Sequence, residues 1–241
     1  VGEMLKNYRQ DILSDTTEIT CDSFSTDKSF ELLTHQKIAR DYLSLYTPYR
    51  GLLLYLGLGS GKTCTSIAIA EGMKSDKKII IMTPASLKMN YFTELKKCGD
   101  ELYRRNQYWE FISIEGQPNY IGILSTALSL TPEYIRKNGG AWLVNINKEP
   151  NYSELTPEEQ KSLDLQLDEM IRSKYLDINY NGLNMKRLNM LTDNLSKNLF
   201  DDSVVIIDEA HNFVSRIVNK IKKTKTIPYL LYEFLLSAKN A

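Results

Sequence analysis

Apolar residues gather into short runs separated by polar, turn-forming stretches. Three runs are continuous: Gly51-Leu52-Leu53-Leu54-Tyr55-Leu56, Ile79-Ile80-Ile81-Met82 and Val204-Val205-Ile206-Ile207. Runs of this length predict strands covered on both faces. Tyr108-Trp109-Glu110-Phe111-Ile112-Ser113-Ile114 alternates, and Lys174-Tyr175-Leu176-Asp177-Ile178-Asn179 gives a fifth candidate strand. Between them the period lengthens, predicting helices over residues 34–45 and 63–73. Thr131-Pro132-Glu133 and Thr156-Pro157-Glu158-Glu159 are helix starts, with threonine as the cap and proline first in the helix; the second also has glutamate at the box position. Residues 158–172 then mix acids with leucines at helical spacing. Strands alternating with helices predict an α/β fold around a mostly parallel sheet, all five strands ending on one rim. Residues 116–173 exceed what a simple crossover needs and read as a helical insertion on the surface of a domain spanning 31–241. Residues 1–30 are polar and read as an N-terminal arm.

Two of the runs end in residues that carry chemistry. After residue 56 come Gly57-Leu58-Gly59-Ser60-Gly61-Lys62-Thr63. Glycines let a backbone turn sharply and approach a ligand without Cβ clashes. In a strand–loop–helix setting, backbone N–H groups and the positive end of the helix dipole face an anion. Lys62 then reaches terminal phosphates and the Thr63 hydroxyl ligates magnesium. Gly57, Gly59, Ser60, Gly61, Lys62 and Thr63 are therefore the candidate nucleotide cradle. The full pattern Gly-x4-Gly-Lys-Ser/Thr would put its first glycine at position 56, where Leu56 stands; Gly57 and Gly59 are expected to take over.

The last run ends at Asp208-Glu209-Ala210-His211. The C-terminal end of a parallel strand is where ligands bind. Asp208 is the candidate second magnesium ligand, and Glu209 the group that polarises an attacking water. His211, on the following turn, is placed to sense a γ-phosphate. Adjacent acids after a strand also suit a solvated helix start; the glycine-rich loop upstream favours the catalytic reading.

These stretches resemble the first RecA-like domain of superfamily 2 helicases and translocases, of the DEAH-lettered kind. Leu33-Thr34-His35-Gln36 resembles the upstream glutamine motif of that family, in which Gln36 would read the adenine edge, its amide offering a donor and an acceptor together. Ile79-Ile80-Ile81-Met82-Thr83-Pro84-Ala85-Ser86-Leu87 resembles the element that grips a nucleic-acid backbone. The resemblance implies ATP and magnesium as ligands and DNA or RNA as partner, touched at Thr83, Pro84, Ser86 and Lys88, with Asn181 in the Tyr180-Asn181-Gly182 loop as a second grip. More narrowly, the chain is similar to helicase-like ATPases of nucleo-cytoplasmic large DNA viruses, a group that includes the poxvirus early transcription factor large subunit. That likeness implies an intracellular protein, in a virion or host cytoplasm, with RNA polymerase or other transcription proteins as further partners. The superfamily resemblance also implies a second RecA-like domain, supplying arginines to the γ-phosphate, in a larger parent protein. This piece is thus expected to bind nucleotide better than it hydrolyses it. Three other readings fit the same motifs: a transcription initiation or termination factor, the translocase subunit of a restriction-type nuclease, and a scaffolding protein with a vestigial site.

Composition narrows the picture modestly. Thirty basic and thirty acidic residues leave no net charge, so nucleic-acid affinity has to come from local patches. Residues 74–97 are basic on balance, and Arg216, Lys220, Lys222, Lys223 and Lys225 form a second run. Cys21, Cys64 and Cys98 follow no metal or disulfide spacing and are expected to be free thiols. His35 and His211, the two histidines, both fall in the nucleotide motifs, so no histidine-based metal site is expected. No apolar run reaches membrane-spanning length and no secretory signal is recognisable, so no membrane partner is expected.

Overall fold

In the computed structural model, Lys78–Thr83 (β1) lies at the centre of a three-stranded parallel sheet between Tyr175–Asn179 (β4) and Ser203–Ile207 (β5). The structure describes residues 6, 8, 9, 31–220 and 226–241. Most of the N-terminal arm, including Cys21, lies outside the described residues, as do Lys222, Lys223, Lys225 and the side chain of Lys220. Within the arm, the Tyr8 hydroxyl donates to the carboxylate of Asp41 on the first helix.

β1 is buried at five of six positions because both its faces are covered. Ile79 and Ile81 enter one core with helices Lys62–Glu71 (α2), Lys88–Cys98 (α3) and Pro157–Lys174 (α6); Ile80 and Met82 enter a second with Phe213, Ile217 and Leu231. Those last side chains come from helices Ala210–Lys220 (α8) and Ile227–Ser237 (α9). Helix Thr34–Tyr42 (α1) packs on α2. Helices Tyr120–Leu128 (α4), Pro132–Asn138 (α5) and Met185–Thr192 (α7) complete the layers. The α/β architecture, a parallel sheet flanked by helices, is the one its patterning predicts.

Four expectations need correction. The run at residues 51–56 forms no strand: its backbone is irregular and its side chains lie largely in solvent, Leu53 at 79% and Tyr55 at 94% exposure. Continuous leucines signal a tendency to be buried, and no described element covers them. Second, Trp109–Ser113 (β2) does not join the parallel sheet. It pairs antiparallel with Gly140–Val144 (β3), a strand inside the region expected to be purely helical. Antiparallel partners are set by non-local pairing, which an alternating pattern does not specify.

Third, residues 116–173 are not a surface addition. Leu163, Leu167, Met170 and Ile171 of α6 are fully buried against Ile79, Ile81, Leu95 and Trp109. α6 starts where its cap predicts: Thr156 Oγ1 accepts from the Glu159 N–H at 3.3 Å, and the Glu159 carboxylate accepts from the Thr156 N–H at 2.9 Å. Buried Gln166 on α6 then acts as a surrogate strand for β3, its amide accepting from the Trp142 N–H and donating to the Trp142 carbonyl, both at 2.8 Å. Fourth, Cys64 and Cys98 are joined in a disulfide between α2 and α3.

Candidate nucleotide site at the sheet rim

The C-terminal ends of β1, β4 and β5 lie side by side. Thr83 is in register with Asn179 and Met82 with Ile207, and the Asp208 N–H continues the ladder by donating to the Met82 carbonyl at 2.9 Å. This rim brings together the Thr83 loop, the Asn181 loop and the Asp208-Glu209 turn. The glycine-rich loop leads into α2, whose first residue is Lys62.

Gly61 is the hinge of that loop. It caps α2 in the left-handed region at φ +76, and a Cβ there would sit 2.4 Å from Gln36 Nε2. A side chain would therefore meet both backbone strain and a clash. The Gly61 carbonyl accepts from the Thr65 N–H (2.9 Å), Thr65 Oγ1 (3.0 Å) and Gln36 Nε2 (3.2 Å). Gln36, 3% exposed, also accepts from the Leu33 N–H at 2.9 Å. Both ends of the amide expected to meet adenine are thus engaged by backbone, and Gln36 fastens α1 to the end of the loop. His35 adds a contact, its Nε2 lying 3.0 Å from the Ser60 carbonyl. That supporting role of His35 is one the motif reading does not assign.

Gly57 and Gly59 have open space where a Cβ would be, and Gly59 takes φ +75. The Lys62 ammonium turns back on the loop, donating to the carbonyls of Leu56 (3.1 Å) and Gly57 (2.9 Å), and Ser60 Oγ donates to Gly57 at 2.7 Å. Thr63 is half-buried in the first turn of α2.

Asp208 is half-buried. Burial and the neighbouring Glu209 carboxylate push its pKa above the ordinary aspartate value; a hydrogen bond from the Glu209 N–H and the charge of Lys62 pull the other way. Lys62 and Asp208 are thus within electrostatic reach across the rim. Glu209 is exposed, takes a left-handed φ of +50, and places Oε2 3.3 Å from His211 Nδ1. A non-glycine residue in that region is uncommon, and here it sits between the strand end and α8.

Beneath the acidic turn lies a residue the motifs do not single out. Buried Tyr180, just past β4, donates its hydroxyl to the carbonyls of Asp208 (3.2 Å) and Glu209 (3.3 Å) and packs against Phe213. Burial pushes its pKa up to about 12, with both neighbouring carboxylates adding, so the phenol stays a donor. Its sequence signal was no more than an aromatic residue next to the Asn181 loop.

The residues expected to touch nucleic acid separate into two groups. Thr83 and Pro84 are buried at the strand end. Their side chains are therefore supports rather than contacts. Ser86 and Asn181 are exposed on the rim, the Asn181 N–H donating to Asn179 Oδ1 at 3.0 Å. Lys88 is half-buried and ion-paired with Asp177 at 2.6 Å. Among the described residues no helix is long and apolar enough to cross a membrane.

Comparison with known proteins finds viral relatives. A mimivirus protein (Acanthamoeba polyphaga mimivirus) named "Putative ATP-dependent RNA helicase R563" is 44% identical over 85 residues, 35% of this chain and 15% of its own length. A second from the same virus, "Putative ATP-dependent RNA helicase L377", is 27% identical over 221 residues, covering 83% of this chain and 17% of its own length. "Putative helicase 009L" of Frog virus 3 is 41% identical over 70 residues, 27% of this chain and 7% of its own. The chain thus spans about a sixth of the length of the two mimivirus proteins. No solved structure matches. The family model described as "Type III restriction enzyme, res subunit" matches residues 29–234, from just before α1 into α9, with the glycine loop and the acidic turn both inside the match. The chain therefore belongs to that family, with the parallel α/β domain of superfamily 2-like helicases.

Proposed function

We propose that this chain is the first RecA-like domain, of DEAH type, of a nucleic-acid-stimulated ATPase that translocates along or unwinds DNA or RNA. The observation that carries the reading is that the Lys62 charge acts on Asp208 across the rim, with Glu209 next to it. The residues present suit magnesium and a polyphosphate: an ammonium, a hydroxyl and two carboxylates, beside a loop with open space at Gly57 and Gly59. Thr63 and Asp208 would hold the magnesium ion, which supplies charge neutralisation on the phosphates. Lys62 exchanges its bonds to Leu56 and Gly57 for phosphate oxygens. Glu209 accepts the proton of the attacking water, its carboxylate steadied by His211. Gln36 acts through Gly61, setting the shape of the loop, and reads adenine only if its amide is released from the backbone.

Ser86, Asn181 and the main-chain N–H groups of the same loops are suited to phosphate contacts that position a strand without reading its sequence. The names of the viral relatives support a helicase-type activity, and the family's name supports translocation within a larger assembly. On this reading a second RecA-like domain completes the site, with transcription proteins as further partners inside an infected cell or virion.

The test is Glu209→Gln in the parent protein. Nucleic-acid-stimulated phosphate release should fall by roughly 10²–10⁴-fold while ATP stays bound. Turnover that survives would remove Glu209 from its role. Lys62→Ala should instead lose ATP binding itself; if nucleotide affinity is unchanged, the cradle is misassigned.

A further inference from the structure

We propose that Cys64 and Cys98 form a reversible thiol–disulfide couple that sets how tightly the phosphate loop holds nucleotide. The proposal deepens the ATPase reading and rests on it.

The two cysteines are placed for exchange. Cys64 is in the first turn of α2, directly after Lys62 and Thr63, and Cys98 is the last residue of α3, with their Cα atoms 5.7 Å apart. Cys64 is half-buried and Cys98 is 4% exposed. Cys64 is thus the less enclosed of the two and the first to meet an oxidant, with Cys98 as the resolving partner. Reduction leaves neither thiol orphaned: Glu94 Oε2 lies 3.7 Å from Cys64 Sγ and the Glu94 carbonyl 3.2 Å from Cys98 Sγ, an acceptor ready for each S–H. Each thiol released by reduction therefore has an oxygen to meet.

The chemistry balances with a small-molecule disulfide as oxidant. Cys64 sulfur attacks one sulfur of the oxidant and expels the first thiol. Cys98 sulfur then attacks Cys64 sulfur and expels the second. One protein S–S bond forms, one oxidant S–S bond breaks, and the two protons leave on the released thiols.

Its position couples this bond to the site. The Lys62 ammonium is bonded to Leu56 and Gly57, so gripping a phosphate requires this side chain to swing off the loop from its seat in the first turn of α2. The disulfide ties that turn to α3, to which α2 is already linked by the Ser66–Tyr91 hydroxyl pair at 3.1 Å. The oxidised form should therefore resist the adjustment and bind nucleotide more weakly.

The test equilibrates the chain across ratios of reduced to oxidised glutathione. Thiol trapping with peptide mass mapping follows the 64–98 cross-link, and a fluorescent ATP analogue with magnesium follows affinity. The expected result is a single reversible transition, with Kd about tenfold weaker in the oxidised form. Cys98→Ser should abolish both changes and keep the affinity of the reduced form, Cys64→Ser should also abolish the cross-link, and Cys21→Ser should preserve the transition. The proposal is overturned if no 64–98 cross-link forms, if Cys98→Ser retains the redox response, or if the reduced pair instead holds stoichiometric zinc. Equal nucleotide affinity in both forms defeats the coupling alone. Absence of nucleotide binding in either form defeats the ATPase reading with it.

Discussion

Residues 51–56 and β1 are both apolar runs of strand length, yet they meet opposite fates. β1 has a strand on each side and a core on each face, so its peptide groups are paired and its isoleucines dry. Among the described residues, the 51–56 run is pinned at its ends: Arg50 donates to the Ala238 carbonyl at 2.6 Å, near the start of β5, and the Leu56 and Gly57 carbonyls accept from Lys62. Between those anchors, leucines face water. What separates the two is partners rather than composition, because apolar runs become strands only where neighbours take up both hydrogen bonds and faces.

The strongest way to break this comparison is at β1. Ile80 is wholly buried, so Ile80→Ala should cost about 2–5 kcal/mol in denaturant unfolding. A loss under 1 kcal/mol would mean the second core is looser than its burial implies.

A smaller effect should appear at the rim, at Asp208 beyond β5, the strand beside β1. Burial and Glu209 raise the Asp208 pKa, so folding favours its protonated form. That contribution is complete below the ordinary aspartate pKa and disappears as pH rises through the raised value. Asp208→Asn, uncharged throughout, should be slightly more thermostable at neutral pH, on the order of 1–2 °C after allowing for solvent screening. It should also lose magnesium-dependent nucleotide binding. In the parent chain that binding should weaken on acidification sooner than an ordinary aspartate would dictate. A lower melting temperature for the amide would reverse the sign of the burial argument.

The smallest effect belongs to the exposed run. Leu53→Ser should change stability by no more than about 0.5 kcal/mol, because nothing is unpacked. Repeating the measurement with ATP and magnesium sharpens the contrast. A larger cost then would mean that the run acquires a partner when the site is filled.

The same contrast explains which features could be read in advance. The starts of α5 and α6 were legible because capping by Thr131 and Thr156 is settled within four residues. β1 and β5 were legible because their apolar runs do sit among neighbours. The β2–β3 pairing, the burial of α6 and the Cys64–Cys98 bond each depend on residues far apart in sequence, which no local pattern encodes. At the rim, the motifs single out Lys62 and Asp208. The hold of Gln36 on Gly61 and the engagement of Lys88 by Asp177 were not legible, since a motif names a residue without saying which neighbour claims it.

The buried phenol of Tyr180 has a mechanical consequence. One oxygen atom spans the two carbonyls that carry the acidic turn, and its own backbone opens the loop that presents Asn181. A rotation of the peptide at position 208 or 209 therefore tugs directly on that loop. Events at the acidic turn and at the far side of the rim share a hinge pin only a single side chain long.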